Sequence, residues 1–295
     1  MPARASLVRL RMERETLLVF DGSFPGFLCA LGEAMNHARK DGALPAIAAA
    51  EDCRCPGLFS ATLSVPRDEE RAAKVWRRIE AKAGAQAMLD CRDAFLSDAP
   101  GRHKALAHCL ARLYREGPRA LEDWADPQVA LTAKACLRTR RQAHLICGVL
   151  RFSELADGSL YAPLDPDCDI LPLLGDHFSA RFPATRFVIH DTRRRAAIFH
   201  GEGASWAIVP GFEALGLDLP LSERERSVRA AWRRYFGAVS IKERENPRLQ
   251  AAHMPKKYWK YLPEMEFPGG RGILGPCEET QWNQAESSTL PPAPG

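Results

Sequence analysis

The sequence predicts an α+β fold in which an antiparallel sheet in the middle of the chain is flanked by N-terminal helices and by basic C-terminal helices. Three observations carry this reading. Apolar residues recur at helical spacing through most of 17–148, short β-branched or aromatic runs separated by Asp-Gly, Pro and Gly occupy 149–210, and helical spacing returns over 220–264 among dense cations. With 295 residues, 46% of them hydrophobic, the chain can bury a large core. Residues 1–264 read as a single domain, and 268–295, rich in Gly, Pro, Ser and Glu, as a disordered tail.

The elements follow in order. Residues 17–20 read as a short buried strand, Asp21-Gly22-Ser23 as a turn, and Phe24, Phe27, Leu28, Leu31 and Met35 as the apolar face of a helix starting there. Further helices are expected over 67–83, 86–97, 102–116 and 127–147. The strands are expected over 150–155, 160–164, 186–190, 195–200 and 205–209, with a helix over 171–182 lying on their sheet. Ser222 and Glu225 form a capping box, after which Val228, Ala231, Trp232, Tyr235, Phe236 and Val239 recur at helical spacing. Trp232, Phe236 and Trp259 read as core residues.

Charge is the strongest functional signal. Residues 222–262 hold 11 Lys and Arg against four Glu, a local balance of +7 in a chain whose formal net charge is +4. The basic character is therefore confined to one segment, as in a face for polyanions. Lysines there interleave with Tyr258, Trp259 and Tyr261, and aromatics beside cations suit stacked bases and phosphates. The expected nucleic-acid contacts are Arg151, Arg181, Arg233, Arg234, Lys242, Arg244, Arg248, Lys256, Lys257, Tyr258 and Lys260.

Catalytic signatures are weaker. GxxxxGK[ST], HExxH and GxSxG do not occur, which argues against P-loop, zincin and hydrolase chemistry. No cofactor and no metal centre are expected: Cys53-Arg54-Cys55 has no second Cys/His pair near it, and no CxxxCxxC is present. The alternating Asp165, Asp167 and Asp169 offer the one arrangement that could converge on a cation, although exposed loop carboxylates are more often solvated. The nine cysteines are scattered and read as reduced, and neither a membrane span nor an export signal is supported, so a cytoplasmic location is expected. Among the histidines, His144 shares a helical face with Val129, Ala133 and Cys136 and reads as semi-buried. His190 and Asp191 are neighbours in a strand and point to opposite faces, so they form no dyad by themselves. The candidates for catalysis are His144, His177 and Asp191.

The segments FDGSFPGFLCALGEA at 20–34, AFLSDAPG at 94–101, AHLICGVLRFSELADGSLYAPLDPDCDILPLLGDHFSARF at 143–182 and WRRYFGAVSIKERENPRLQAAHMPKKYWKYLPE at 232–264 resemble a bacterial family. That family is a domain of unknown function described as a DNA metabolism or DNA repair protein. The resemblance implies DNA as a ligand and a radical SAM protein of DNA repair, similar to spore photoproduct lyase, as a partner; some members are fused to a uracil-DNA glycosylase-type domain. It supplies no catalytic residues. One departure stands out: Gln142 occupies the place where the family tends to carry Glu, which removes a carboxylate that could have paired with His144. The reading is thus a DNA-binding accessory subunit, and the alternative is an enzyme that flips a damaged or modified base into a pocket lined by His144, His177 and Asp191.

Overall fold

The computed structural model describes residues 16–53, 61–201, 203, 205–214, 219–239 and 246–265. These divide into two compact units, one formed by the described residues up to 143 together with Asp167–Ile170, the other by His144–Pro166 and the described residues from Leu171 on.

The first unit contains β1 (Thr16–Phe20), α1 (Phe24–Asp41), β2 (Ala46–Ala49), β3 (Ala61–Ser64), α2 (Glu69–Ala83), α3 (Ala85–Phe95), α4 (Arg102–Glu116) and most of α5 (Pro127–Val149). Its three strands form a parallel sheet in the order β2-β1-β3, with Leu18 opposite Ile47 on one side and Leu63 on the other. The sequence reading found β1 and the helices but expected no sheet here. β2 is AIAA and β3 is ATLS, runs with little of the β-branched and aromatic content that marks a strand; pairing with β1 makes them strands.

The turn after β1 is a capping device. Asp21 accepts hydrogen bonds from the Ser23 N–H (3.0 Å) and hydroxyl (2.6 Å), and Ser23 Oγ accepts from the Gly26 N–H at 3.0 Å as N-cap of α1. Gly26 must lack a side chain, because a Cβ there would stand 2.0 Å from Asp21 Oδ1. The helices pack over Leu18, Phe20, Phe27, Leu31, Ile79, Met88, Leu106 and Leu110, all fully buried. Cys29, Cys91 and Cys109 lie in the same interior as small hydrophobes, and burial pushes the Cys109 thiol up to about 11. One buried carboxylate, Asp93, is held by Arg92 at 2.9 Å and by Arg140 at 2.7 Å, tying α3 to α5.

The second unit contains β4 (Ser153–Glu154), β5 (Leu160–Leu164), α6 (Leu171–Arg181), β6 (Phe187–Asp191), β7 (Ala196–His200), β8 (Ala207–Pro210), α7 (Glu223–Val239), α8 (Pro247–His253) and a 3-10 turn at Lys256–Tyr261. The strands form one sheet in the order β4-β5-β6-β7-β8. Each expected strand is present, but the sheet is mixed: β5 and β6 pair in parallel while the other neighbours are antiparallel. The cause is α6. A helix between two neighbouring strands carries the chain back to the end where the first strand began, so the second must run the same way. The overall class is therefore mixed α/β, with two sheets among the described residues, and the expectation of one antiparallel sheet is corrected. α6 is seated by Trp206, whose indole N–H donates to Asp176 at 2.7 Å and whose ring lies 2.2 Å from where a Cβ on Gly175 would be.

His103 carries a pH dependence. Its ring packs 5.2 to 6.1 Å from those of Phe20, Phe27 and Phe95. Burial, helped by the Arg102 charge, lowers its pKa from 6.5 to about 4. The folded state thus keeps this imidazole neutral, while the unfolded chain gains a proton as pH falls through 6.5. The stability it leaves intact above that pH is lost progressively down to about 4 and changes no further below. Urea unfolding at pH 7 and pH 4.5 should show wild type losing about 2 to 3 kcal/mol more than His103→Leu over that interval. Equal losses in the two proteins would show that His103 titrates normally.

Candidate functional site

In the second unit the basic helix meets its neighbours through a polar stripe that lies beside its apolar one, and not through the apolar stripe alone. The inward side of α7 is polar: Arg229 donates to Glu225 at 2.8 Å and to the hydroxyl of Ser153 in β4, and both charged side chains are largely shielded. The apolar stripe beside it is only partly covered, with Trp232 39%, Tyr235 58% and Phe236 38% exposed and Val228 and Val239 next to them. This corrects the assignment of Trp232 and Phe236 to the core. The Trp232 and Tyr235 rings lie 5.8 Å apart and tilted, and Arg224, Arg226 and Arg234 on the same helix are exposed.

The base of this helix is fixed by Glu264, whose side chain is only 4% exposed. It accepts from the Trp232 indole N–H at 3.0 Å and from Arg151 at 3.3 Å. Arg151 is thereby spent within the fold. Tyr258 is buried, with the Lys257 ammonium 4.8 Å from its ring centroid, so no base can stack on it. Lys260 is bound to Asp165 at 2.7 Å.

Those last contacts belong to a polar cluster beyond the carboxyl ends of β5 and β6. Asp165 follows β5 and Thr192 follows β6. The Thr192 hydroxyl is 3.3 Å from that of Tyr261, which also hydrogen-bonds Lys260, and the Tyr161 hydroxyl lies 2.8 Å from Nδ1 of the buried His190. The His190 ring donates to the Phe212 carbonyl, so its other nitrogen accepts from Tyr161. Burial lowers the pKa of His190, raises that of Tyr261 and pushes that of Tyr161 up to about 12, so all three are neutral near pH 7. Ends of parallel strands are where open sheets commonly present side chains to a ligand. Here they serve to anchor the basic segment.

The catalytic candidates are not assembled. Asp191 is buried and consumed by the β6–β7 turn: its Oδ1 accepts from the Arg193 and Arg194 N–H groups, each at 3.0 Å, and its Oδ2 from the Arg194 guanidinium at 2.9 Å. His144 is exposed on α5, not semi-buried, and His177 is exposed on α6 with its ring edge-on to Phe178. No hydrogen bond or ion pair joins any two of the three among the described residues. Gln142, the departure noted in the sequence, is structural: in the first unit it accepts the Cys168 N–H at 2.7 Å and donates to Asp167 at 3.3 Å. Asp167 is thus engaged, and no group of three His, Cys, Asp or Glu placed to hold a metal occurs among the described residues.

Of the expected cationic contacts, Arg181, Arg234, Arg248 and Lys256 are exposed, Arg233 and Lys257 are half-buried, and Lys242 and Arg244 lie outside the described residues, as do Cys55 and the tail over 268–295. Gly270, Gly272 and Gly275 have G-x-G-x-x-G spacing, again outside the described residues. They follow a proline- and glutamate-containing run instead of a strand-like one, and the spacing alone carries no dinucleotide reading. Sequence reasoning missed Glu264 and the Tyr161–His190 pair because both depend on partners distant in the chain. No helix among the described residues is long and apolar enough to cross a membrane.

Residues 100–264 match the model of a family described as a domain of unknown function, DUF4130. The match takes in more than half of the chain, which belongs to that family. No curated protein and no solved structure matches it.

Replacing Glu264 by Ala should cost about 2 to 4 kcal/mol of stability, because it leaves a half-buried guanidinium with only the Val149 carbonyl as acceptor and takes the acceptor from an indole N–H. Chemical denaturation followed by tryptophan fluorescence measures it; a loss below about 1 kcal/mol would show that Glu264 does not hold α7.

Proposed function

We propose that this protein binds single-stranded nucleic acid through the outward face of α7, as an accessory subunit in DNA repair or modification. The observation that supports this most directly is the partly uncovered aromatic stripe of α7: Trp232, Tyr235 and Phe236 keep solvent-exposed surface while the adjoining Glu225–Arg229 pair is shielded. Exposed aromatics attract bases by stacking, and Arg234 on the same helix, with Arg248 and Lys256 in the same basic segment, supplies charge for the phosphates. Stacking needs unpaired bases, which favours single strands over duplex. The resemblance to a DNA repair family supports DNA as the ligand and a radical SAM enzyme as the protein that makes or breaks bonds. The separation of His144, His177 and Asp191 into unrelated settings gives the enzyme reading no support of its own.

The test is fluorescence anisotropy with labelled single-stranded and duplex DNA across a salt series, the oligonucleotide then being recovered and weighed by mass spectrometry. Single strands should bind more tightly and return unchanged. Trp232→Ala or Tyr235→Ala should each weaken binding by about 1 to 3 kcal/mol. The plot of log K against log salt should become shallower by about 2 when Arg234, Arg248 and Lys256 are all replaced by Gln, from about 0.7 per phosphate contact. Binding insensitive to both sets would remove α7 as the interface, and a mass change in the DNA would make the protein an enzyme.

A further inference from the structure

The first unit contains a second cationic feature that the basic C-terminal segment does not account for. A cleft of about 160 Å³ opens between α1, α2 and α4 and is lined by Arg39, Arg71, Lys74 and Arg78, with Asn36 and Tyr114 as further polar groups. None of its lining residues is acidic. Arg71, Lys74 and Arg78 are spaced to share one face of α2, and Arg39 approaches from the last turn of α1. Two of the four cations are already engaged, Arg71 by Glu33 and Lys74 loosely by Glu70 at 3.7 Å. Arg39 and Arg78 are exposed and have no carboxylate partner among the described residues.

The floor is apolar. Met35, Val75 and Ile79 form it together with Gly32, where a Cβ would stand 2.9 Å from Val75 and push the two helices apart. Tyr114 closes one end, its ring covered by the Lys82 ammonium at 4.2 Å from the centroid. Two guanidinium groups with no carboxylate partner among the described residues, above an apolar floor, are matched to an anion that also carries a flat, weakly polar part. Guanidinium forks fit phosphate oxygens, and a ring fits the floor and the tyrosine edge. The space corresponds to roughly five waters, enough to seat one ring, with the phosphate at the exposed arginines on its rim.

We propose that this cleft binds the phosphate of a nucleotide, either free or as a residue of a polynucleotide, with Arg39 and Arg78 on the phosphate and the sugar or base over Val75, Ile79 and Tyr114. The site is independent of α7, and its failure is separable from failure of the α7 reading.

The experiment is isothermal titration calorimetry of the full chain with adenosine 5′-monophosphate, inorganic phosphate, adenosine and a short oligodeoxyadenylate. It is repeated on R39Q/R78Q and on W232A/Y235A. Saturable binding of the monophosphate, tighter than phosphate or adenosine, weakened about tenfold or more in R39Q/R78Q and unchanged in W232A/Y235A, identifies a free nucleotide as the ligand. Binding of the oligonucleotide alone, lost when R39Q/R78Q is added to W232A/Y235A, supports the site with a polynucleotide as its source. The proposal is overturned if no probe binds at this site, if inorganic phosphate binds as tightly as the nucleotide, or if R39Q/R78Q leaves every affinity unchanged. Both arginines are exposed, so the double variant should fold. Lys74→Gln repeats the test if it does not.

Discussion

The parallel pairing of β5 with β6 is the constraint from which the second unit follows. Because α6 returns the chain between them, both strands end on the same side, and Asp165 and Thr192 emerge next to each other. That side is where the 3-10 turn Lys256–Tyr261 attaches, through Lys260 to Asp165 and Tyr261 to Thr192. An antiparallel pair would have put those two residues at opposite ends of the sheet. The anchor of the C-terminal segment would then have had nothing to grip.

A carboxylate taken out of water must be answered by donors, and three shielded ones among the described residues are answered by arginine: Asp93 by Arg92 and Arg140, Asp191 by Arg194 and two backbone N–H groups, Glu264 by Arg151 with an indole N–H. Much of the arginine content is therefore structural. Charge counting along the sequence cannot separate an arginine that neutralises a buried partner from one that waits for a ligand. Arg151 was expected at a nucleic-acid surface and belongs to the first kind, Lys260 is held by Asp165, and Arg39 and Arg78, which attracted no notice, line the α1–α2 cleft with no carboxylate partner among the described residues.

The two candidate surfaces use the same physics in different forms. On α7, aromatic rings are exposed along a helix with cations at intervals, a convex surface suited to an extended strand. In the α1–α2 cleft, cations rim a concave apolar floor, which suits a single phosphorylated group.

The sequence alone determined what is local. Helix positions followed from apolar spacing, the α1 turn from Asp21-Gly22-Ser23, the strand positions of the second unit from β-branched runs and turns, and the concentration of positive charge over 222–262 from counting. Even the neighbour rule that kept His190 and Asp191 on opposite faces held, with one bound to Tyr161 and the other in the turn. What only the tertiary structure decided is non-local. Strand direction depends on the path of a crossover, and β2 and β3 exist as strands only because β1 offers them hydrogen bonds. The direction of an amphipathic helix is decided by which of its faces finds partners. In α7 the polar stripe found Ser153 at β4 and Glu264 fixed the indole of Trp232, leaving the adjoining aromatic residues partly exposed, because a shielded ion pair and an indole N–H must find partners before apolar area can be covered.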